Sequence, residues 1–213
     1  MTKTAEFPKL RRGLVAILRG LTPDEAVAMA HAIHAAGIEA IEVPLNSPEP
    51  FVSIGRIVEA LPASALIGAG TVLTAADVDN LAKAGGRLLV SPNIDAEVMT
   101  QAAKHGLVTM PGVFTPSEAF QAIRLGASAL KFFPASVLGP AGINAMRAVL
   151  PKDAIVGAVG GVSEPDFAGY KAAGVSVFGL GSSLFKPGMT VAQVKARAEA
   201  AVAAWDAAFG GAA

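Results

Sequence analysis

Short apolar runs alternate along the chain with polar turns and alanine-rich segments, returning every roughly 20 to 28 residues, the rhythm of a strand–helix array with a parallel sheet. The runs fall near 13–18, 39–43, 65–69, 87–91, 107–110, 128–132, 155–159 and 176–180. Eight such strands with helices between them favour a closed (β/α)8 TIM barrel over a doubly wound sheet.

The intervening segments carry helix-start grammar. Thr22-Pro23-Asp24-Glu25, Thr74-Ala75-Ala76-Asp77, Thr115-Pro116-Ser117-Glu118 and Ser163-Glu164-Pro165-Asp166 each set an acid three residues after a capping hydroxyl. The helices then end at Gly37, Gly85, Gly106, Gly126 and Gly174, where the residue after the cap must often take positive φ.

No composition shift or polar linker divides the 213 residues, so one domain is expected, with a barrel core at about 11–186, an N-terminal extension and a C-terminal helix. Seventeen basic and seventeen acidic side chains cancel without a Lys/Arg cluster, which argues against a nucleic-acid partner and for a small one. Apolar residues make up 53% of the chain, yet the longest uncharged run, Ala60 to Ala76, is seventeen residues and holds Pro62, Ser64, Gly68 and Gly70. A membrane helix wants about 20 predominantly apolar residues, so no membrane span is expected. Residues 1–12 contain no apolar leader core, and with no cysteine in the chain there is neither disulfide nor thiolate chemistry; a cytoplasmic location is expected.

The chemistry concentrates at two strand ends. Lys131 interrupts the apolar stretch Ala129-Leu130-Lys131-Phe132-Phe133-Pro134 in the sixth strand. Burial disfavours an ammonium ion, and an amine that sheds its proton near neutral pH can attack a ketone to form a Schiff base. Glu42, near the end of the second strand, shares a face with Ala40, whereas Glu39 begins that strand at the opposite, structural end. A buried ion pair is the bland alternative for Glu42 and Lys131. Its desolvation cost makes the pair a better candidate for function than for stability, with Glu42 as general acid/base.

The last two strands end in Val159-Gly160-Gly161-Val162-Ser163 and Gly179-Leu180-Gly181-Ser182-Ser183. Either glycine pair alone could be a tight turn. Together, after strands seven and eight of a barrel, Gly160, Gly161, Gly181 and Ser182 fit a phosphate cradle. Arg19, just past the first strand, can clamp a carboxylate through paired donors. Thr71 ends Gly68-Ala69-Gly70-Thr71 and is equally a substrate contact or a turn-capping residue; Pro92 and Asn93 follow the fourth strand. His31, His34 and His105 fall in helices without accompanying ligands, and Asp77, Asp79, Asp95 and Glu97 suit helix beginnings, so neither a metal nor a cofactor is expected.

Val15-Ala16-Ile17-Leu18-Arg19-Gly20, Ile41-Glu42-Val43-Pro44-Leu45-Asn46-Ser47-Pro48, Ile67-Gly68-Ala69-Gly70-Thr71, Leu130-Lys131-Phe132-Phe133-Pro134-Ala135, Val159-Gly160-Gly161 and Gly179-Leu180-Gly181-Ser182, in this order, resemble the class I 2-keto-3-deoxy-6-phosphogluconate/phosphogalactonate aldolase family over about residues 11–186. The resemblance implies that Lys131 forms the Schiff base with pyruvate or the keto acid and that Glu42 is the acid/base. It also implies that Arg19, Thr71 and Pro92 line the keto-acid pocket, that Phe133 is its aromatic wall, and that Gly160, Gly161, Gly181 and Ser182 hold the phosphate. A phosphorylated keto acid is the implied ligand and a homotrimer the implied assembly. Phosphogluconate enzymes resemble Glu-Val-Thr-Leu-Arg-Thr at the second strand, with an arginine at the carboxylate clamp. This chain has Asn46 there, which resembles the phosphogalactonate branch, where Asn46 pairs with Arg19. The expected substrate is therefore 2-dehydro-3-deoxy-6-phosphogalactonate, with its C4 epimer as alternative. A phosphosugar isomerase on the same barrel, or a noncatalytic phosphometabolite-binding protein, remains the competing class.

Overall fold

The structure is a computed structural model that describes residues 4–210. Its elements run β1 (Leu14–Ile17), α1 (Pro23–Ala35), β2 (Ala40–Pro44), α2 (Pro50–Ala60), β3 (Leu66–Gly70), α3 (Ala75–Lys83), β4 (Leu88–Val90), α4 (Ala96–Lys104), β5 (Val108–Met110) and β6 (Gly112–Val113). There follow α5 (Pro116–Arg124), β7 (Leu130–Phe132), α6 (Ala135–Arg147), β8 (Val156–Val159), α7 (Phe167–Ala172), β9 (Val177–Leu180) and α8 (Val191–Phe209). All strand pairs are parallel, in the order β5-β4-β3-β2-β1-β9-β8-β7-β6.

The nine runs are the eight staves of a TIM-type barrel. Pro111, which has no N–H to give a ladder, splits the fifth stave into β5 and β6, where the sequence predicts a single run ending at 110. The ring closes across that stave: Ala129 N–H donates to Thr109 O (3.0 Å), Lys131 N–H to Pro111 O (3.0 Å) and Phe133 N–H to Val113 O (3.2 Å).

Strand parity sorts side chains into two cores. Val15, Ile17, Ala40, Leu66, Leu88, Val90, Val108, Met110, Ala129, Val159 and Val177 fill the barrel. Their neighbours Leu14, Ala16, Ile41, Val43, Leu130, Phe132 and Phe178 pack outward against the helices. Phe7 and Leu10 close the barrel floor, and their segment is tied in place by polar bonds. Ala5 N–H donates to Leu107 O (3.0 Å), Ser128 Oγ to Ala5 O (2.5 Å), and Thr109 N–H to Ser128 Oγ (2.8 Å).

All four helix-start signals are in place as capping boxes, at Thr22, Thr74, Thr115 and Ser163. The last opens a 3-10 turn, Glu164–Asp166, that leads into α7. The five predicted stop glycines all have positive φ, from +63° at Gly106 to +104° at Gly37. At the other end of the chain, Arg12 grips Asp206 with two bonds, Nε to Oδ1 (2.8 Å) and Nη2 to Oδ2 (2.7 Å), which fastens α8 to the entrance of β1.

Candidate active site

A cavity of 440 Å³ opens at the C-terminal ends of the strands, where barrel loops converge. Its lining includes Arg19, Glu42, Thr71, Pro92, Lys131, Phe133, Gly160, Gly161, Gly181 and Ser182, so ten of the eleven residues singled out from sequence meet in one place. The eleventh, Asn46, stands beside the cavity and accepts a hydrogen bond through Oδ1 from Arg19 Nη1. A concavity of similar size, 460 Å³, lies at the opposite barrel end, but its acids, Glu6 and Asp153, are exposed to solvent. Chemistry, not volume, separates the two.

Glu42 and Lys131 project into the barrel because each lies two residues along its strand from an interior alanine, Ala40 and Ala129. Their exposures are 2% and 6%. Burial pushes the Glu42 carboxyl up to about 7, against the opposing pull of the Lys131 and Arg19 charges. Burial likewise lowers the Lys131 ammonium to about 8, with the Glu42 charge resisting and the Arg19 charge assisting. Glu42 Oε2 is fully buried without a hydrogen-bond partner among the described residues. Lys131 Nζ stands 4.7 Å from the centre of the Phe133 ring, which forms one wall of the cavity. An amine and a carboxyl that burial moves toward neutrality are thus held in one chamber.

The rim carries the backbone devices. Thr71 takes φ +57°, an uncommon state for a β-branched residue, directly after the strand end that faces Glu42. Gly160 and Gly161 take φ +91° and +71°. A Cβ on Gly161 would meet Ser136 Oγ at 2.5 Å, so the turn admits no side chain. Ser136 N–H donates to Gly160 O (3.0 Å), which fixes this turn against the start of α6.

Sequence reasoning missed Lys186, an exposed residue that lines the same cavity together with Phe185 and Pro187. A signal was present, since Lys186 follows the Gly181-Ser182 turn by four residues. The chamber therefore presents three basic side chains, Arg19, Lys131 and Lys186, against one carboxyl, Glu42, a balance suited to a multiply anionic ligand. Outside it, His105 pairs with Asp79 (2.6 Å), and Asp79 lies within α3 and not at its beginning as expected. Among the described residues no group of three or more His, Cys, Asp or Glu is arranged to hold a metal ion, and no helix is long and apolar enough to cross a membrane.

The profile of the KDPG and KHG aldolase family matches residues 9–196. The chain is 60% identical over 205 residues to a probable 2-dehydro-3-deoxy-6-phosphogalactonate aldolase of Rhizobium meliloti (strain 1021), covering 96% of this chain and 97% of that protein. It is 49% identical to the 2-dehydro-3-deoxy-6-phosphogalactonate aldolase of Escherichia coli (strain K12), covering 90% and 94% of the two chains. Among solved structures, one described as native KDPGal superposes with a TM-score of 0.93 at 46% identity, covering 96% of this chain and 99% of the other. Matches of this extent, over the segment that builds the chamber, settle the family: the chain belongs to the KDPG and KHG aldolases.

Proposed function

We propose that the protein is a class I aldolase that reversibly cleaves 2-dehydro-3-deoxy-6-phospho-D-galactonate to pyruvate and D-glyceraldehyde 3-phosphate. The observation that carries this reading is the buried Lys131 sharing a chamber with the buried Glu42, whose Oε2 has no hydrogen-bond partner among the described residues.

The neutral Lys131 amine adds to the C2 ketone, and loss of water from the carbinolamine leaves a protonated imine. Glu42 takes the C4 hydroxyl proton as the C3–C4 bond breaks, and the electron pair of that bond flows into the imine to give an enamine. The aldehyde phosphate departs, C3 of the enamine is protonated, and hydrolysis of the imine frees pyruvate and the amine. Glu42, held near neutrality by burial, is able to take and return protons at each stage.

In this reading Arg19 binds the substrate carboxylate, held by Asn46, while Thr71 and the backbone at Pro92 flank the keto acid and Phe133 walls the imine. Gly160, Gly161, Gly181 and Ser182 take the phosphate, with Lys186 adding a cation. Asn46 and the relatives named above favour the galactonate epimer. Steady-state rates on both C4 epimers test this: a higher kcat/KM for the galactonate compound supports it, and a preference for the gluconate compound transfers the assignment to the epimer.

A homotrimer in the cytoplasm completes the reading. Leu73, Phe114, Phe120 and Val137 leave apolar surface exposed for such an assembly, and light scattering on the purified protein reports its mass.

A further inference from the structure

Arg19 is exposed and sits on a long, flexible side chain, so by itself it would lose conformational entropy on gripping a ligand. The structure restrains it at two adjacent points. Arg19 Nη1 donates to Asn46 Oδ1, and Gly20 N–H donates to Ser47 Oγ (2.9 Å). Two consecutive residues of the β1–α1 loop are thereby fastened to two consecutive residues of the β2–α2 loop.

Ser47 is only 8% exposed, so water competes poorly for its hydroxyl. Its own N–H donates to Pro44 O (2.9 Å), which anchors it to the end of the strand that carries Glu42. On the other side, Gly20 takes φ +84° and lies so close to Pro187 that a Cβ there would approach Pro187 Cγ to 2.7 Å. The Gly20 peptide is thus held between Ser47 and the loop that carries Lys186.

We propose that Ser47 is a positioning residue: its hydroxyl fixes the Gly20 peptide and so pre-sets the Arg19 guanidinium for the substrate carboxylate. The inference rests on the reading of Arg19 as carboxylate clamp, and the test separates the two. Borohydride trapping on Lys131 is measured against concentration for pyruvate and for hydroxyacetone, a ketone without a carboxylate, in the wild type, S47A and R19A. S47A is expected to raise half-saturating pyruvate roughly fivefold, the effect of one lost hydrogen bond, with maximal trapping and the hydroxyacetone curve unchanged. R19A is expected to raise half-saturating pyruvate more strongly, and, because the Arg19 charge also helps lower the Lys131 ammonium, to shift trapping of both ketones to higher pH.

A pyruvate curve for S47A that matches the wild type, while R19A weakens pyruvate, overturns the role of Ser47 and leaves the clamp standing. Pyruvate binding unaffected in R19A overturns the clamp and the inference with it. Equal weakening of both ketones in S47A marks general damage to the chamber and also overturns the proposal. Ser47→Cys, which keeps the volume but offers a poorer acceptor, supplies the same comparison if S47A does not fold.

Discussion

Gly70 and Glu42 occupy neighbouring strands so closely that a Cβ on Gly70 would lie 1.9 Å from Glu42 Oε2. The glycine is there for space, since its φ lies outside the left-handed range in which glycine is favoured. Any side chain at 70 must displace the carboxyl from the chamber. Misplacing a catalytic group by about 1 Å can cost on the order of 10²-fold in rate, so G70A is expected to lower kcat by about that factor while the barrel stays folded. The double variant G70A/E42Q should be little slower than E42Q alone, because both changes remove the same group. Steady-state kinetics with circular dichroism checks this, and additive losses would count against it.

The protonation of the pair gives a second expectation. Burial pushes the Glu42 carboxyl up to about 7 and the Lys131 ammonium down to about 8, and the two titrate as a pair, so proton transfer in turnover should depend on pH in this interval. The Glu42 charge holds the Lys131 ammonium up; removing it in E42Q leaves burial and Arg19, both of which push the amine down. Imine trapping by E42Q should therefore begin at lower pH than in the wild type, while turnover falls about 10²- to 10⁴-fold. Trapping profiles across pH 5 to 9 measure the shift. A move toward higher pH would contradict the account.

In the proposed reading Lys186 serves the phosphate and takes no part in the imine, so its removal should tell the two apart. K186A is expected to raise KM for the phosphorylated keto acid roughly tenfold, the scale of one charge-assisted contact, and to leave borohydride trapping of pyruvate unchanged. The effect should shrink with added salt, as expected of an exposed cation. Unaltered KM at low ionic strength would remove Lys186 from the phosphate site.

At the floor of the barrel Ser128 serves the fold alone. Its hydroxyl accepts from Thr109 N–H (2.8 Å) and donates to Ala5 O (2.5 Å), so S128A leaves partly buried partners unpaired. A loss of about 1–3 kcal/mol in unfolding free energy is expected, with kcat at permissive temperature unchanged because the active chamber lies at the other end. Urea unfolding and a standard assay give the two readouts.

Local rules carried much of the sequence reading. Hydroxyl-to-acid spacing at Thr22, Thr74 and Thr115 marks helix starts because the bonds involved span three residues, and Gly37 or Gly85 marks ends because only the backbone angle matters there. Parity along a strand likewise puts Glu42 with Ala40 and Lys131 with Ala129 inside the barrel. The break at Pro111 was legible, since proline has no N–H to give a ladder, although the run is resumed beyond it only by pairing of β6 with β7. Lys186 and the bond from Gly20 to Ser47 were not, because each joins loops distant in sequence that meet only once the barrel closes.

The Lys131 amine is the group on which the proposed chemistry depends. The protein is incubated with pyruvate and borohydride, its intact mass is measured, and the modified peptide is mapped. A single pyruvate-derived adduct on Lys131, absent in K131M, is the predicted result. No adduct on a folded protein with active reagent, or an adduct on a different lysine, would contradict the imine mechanism and bring forward a phosphosugar isomerase or a binding protein on the same chamber.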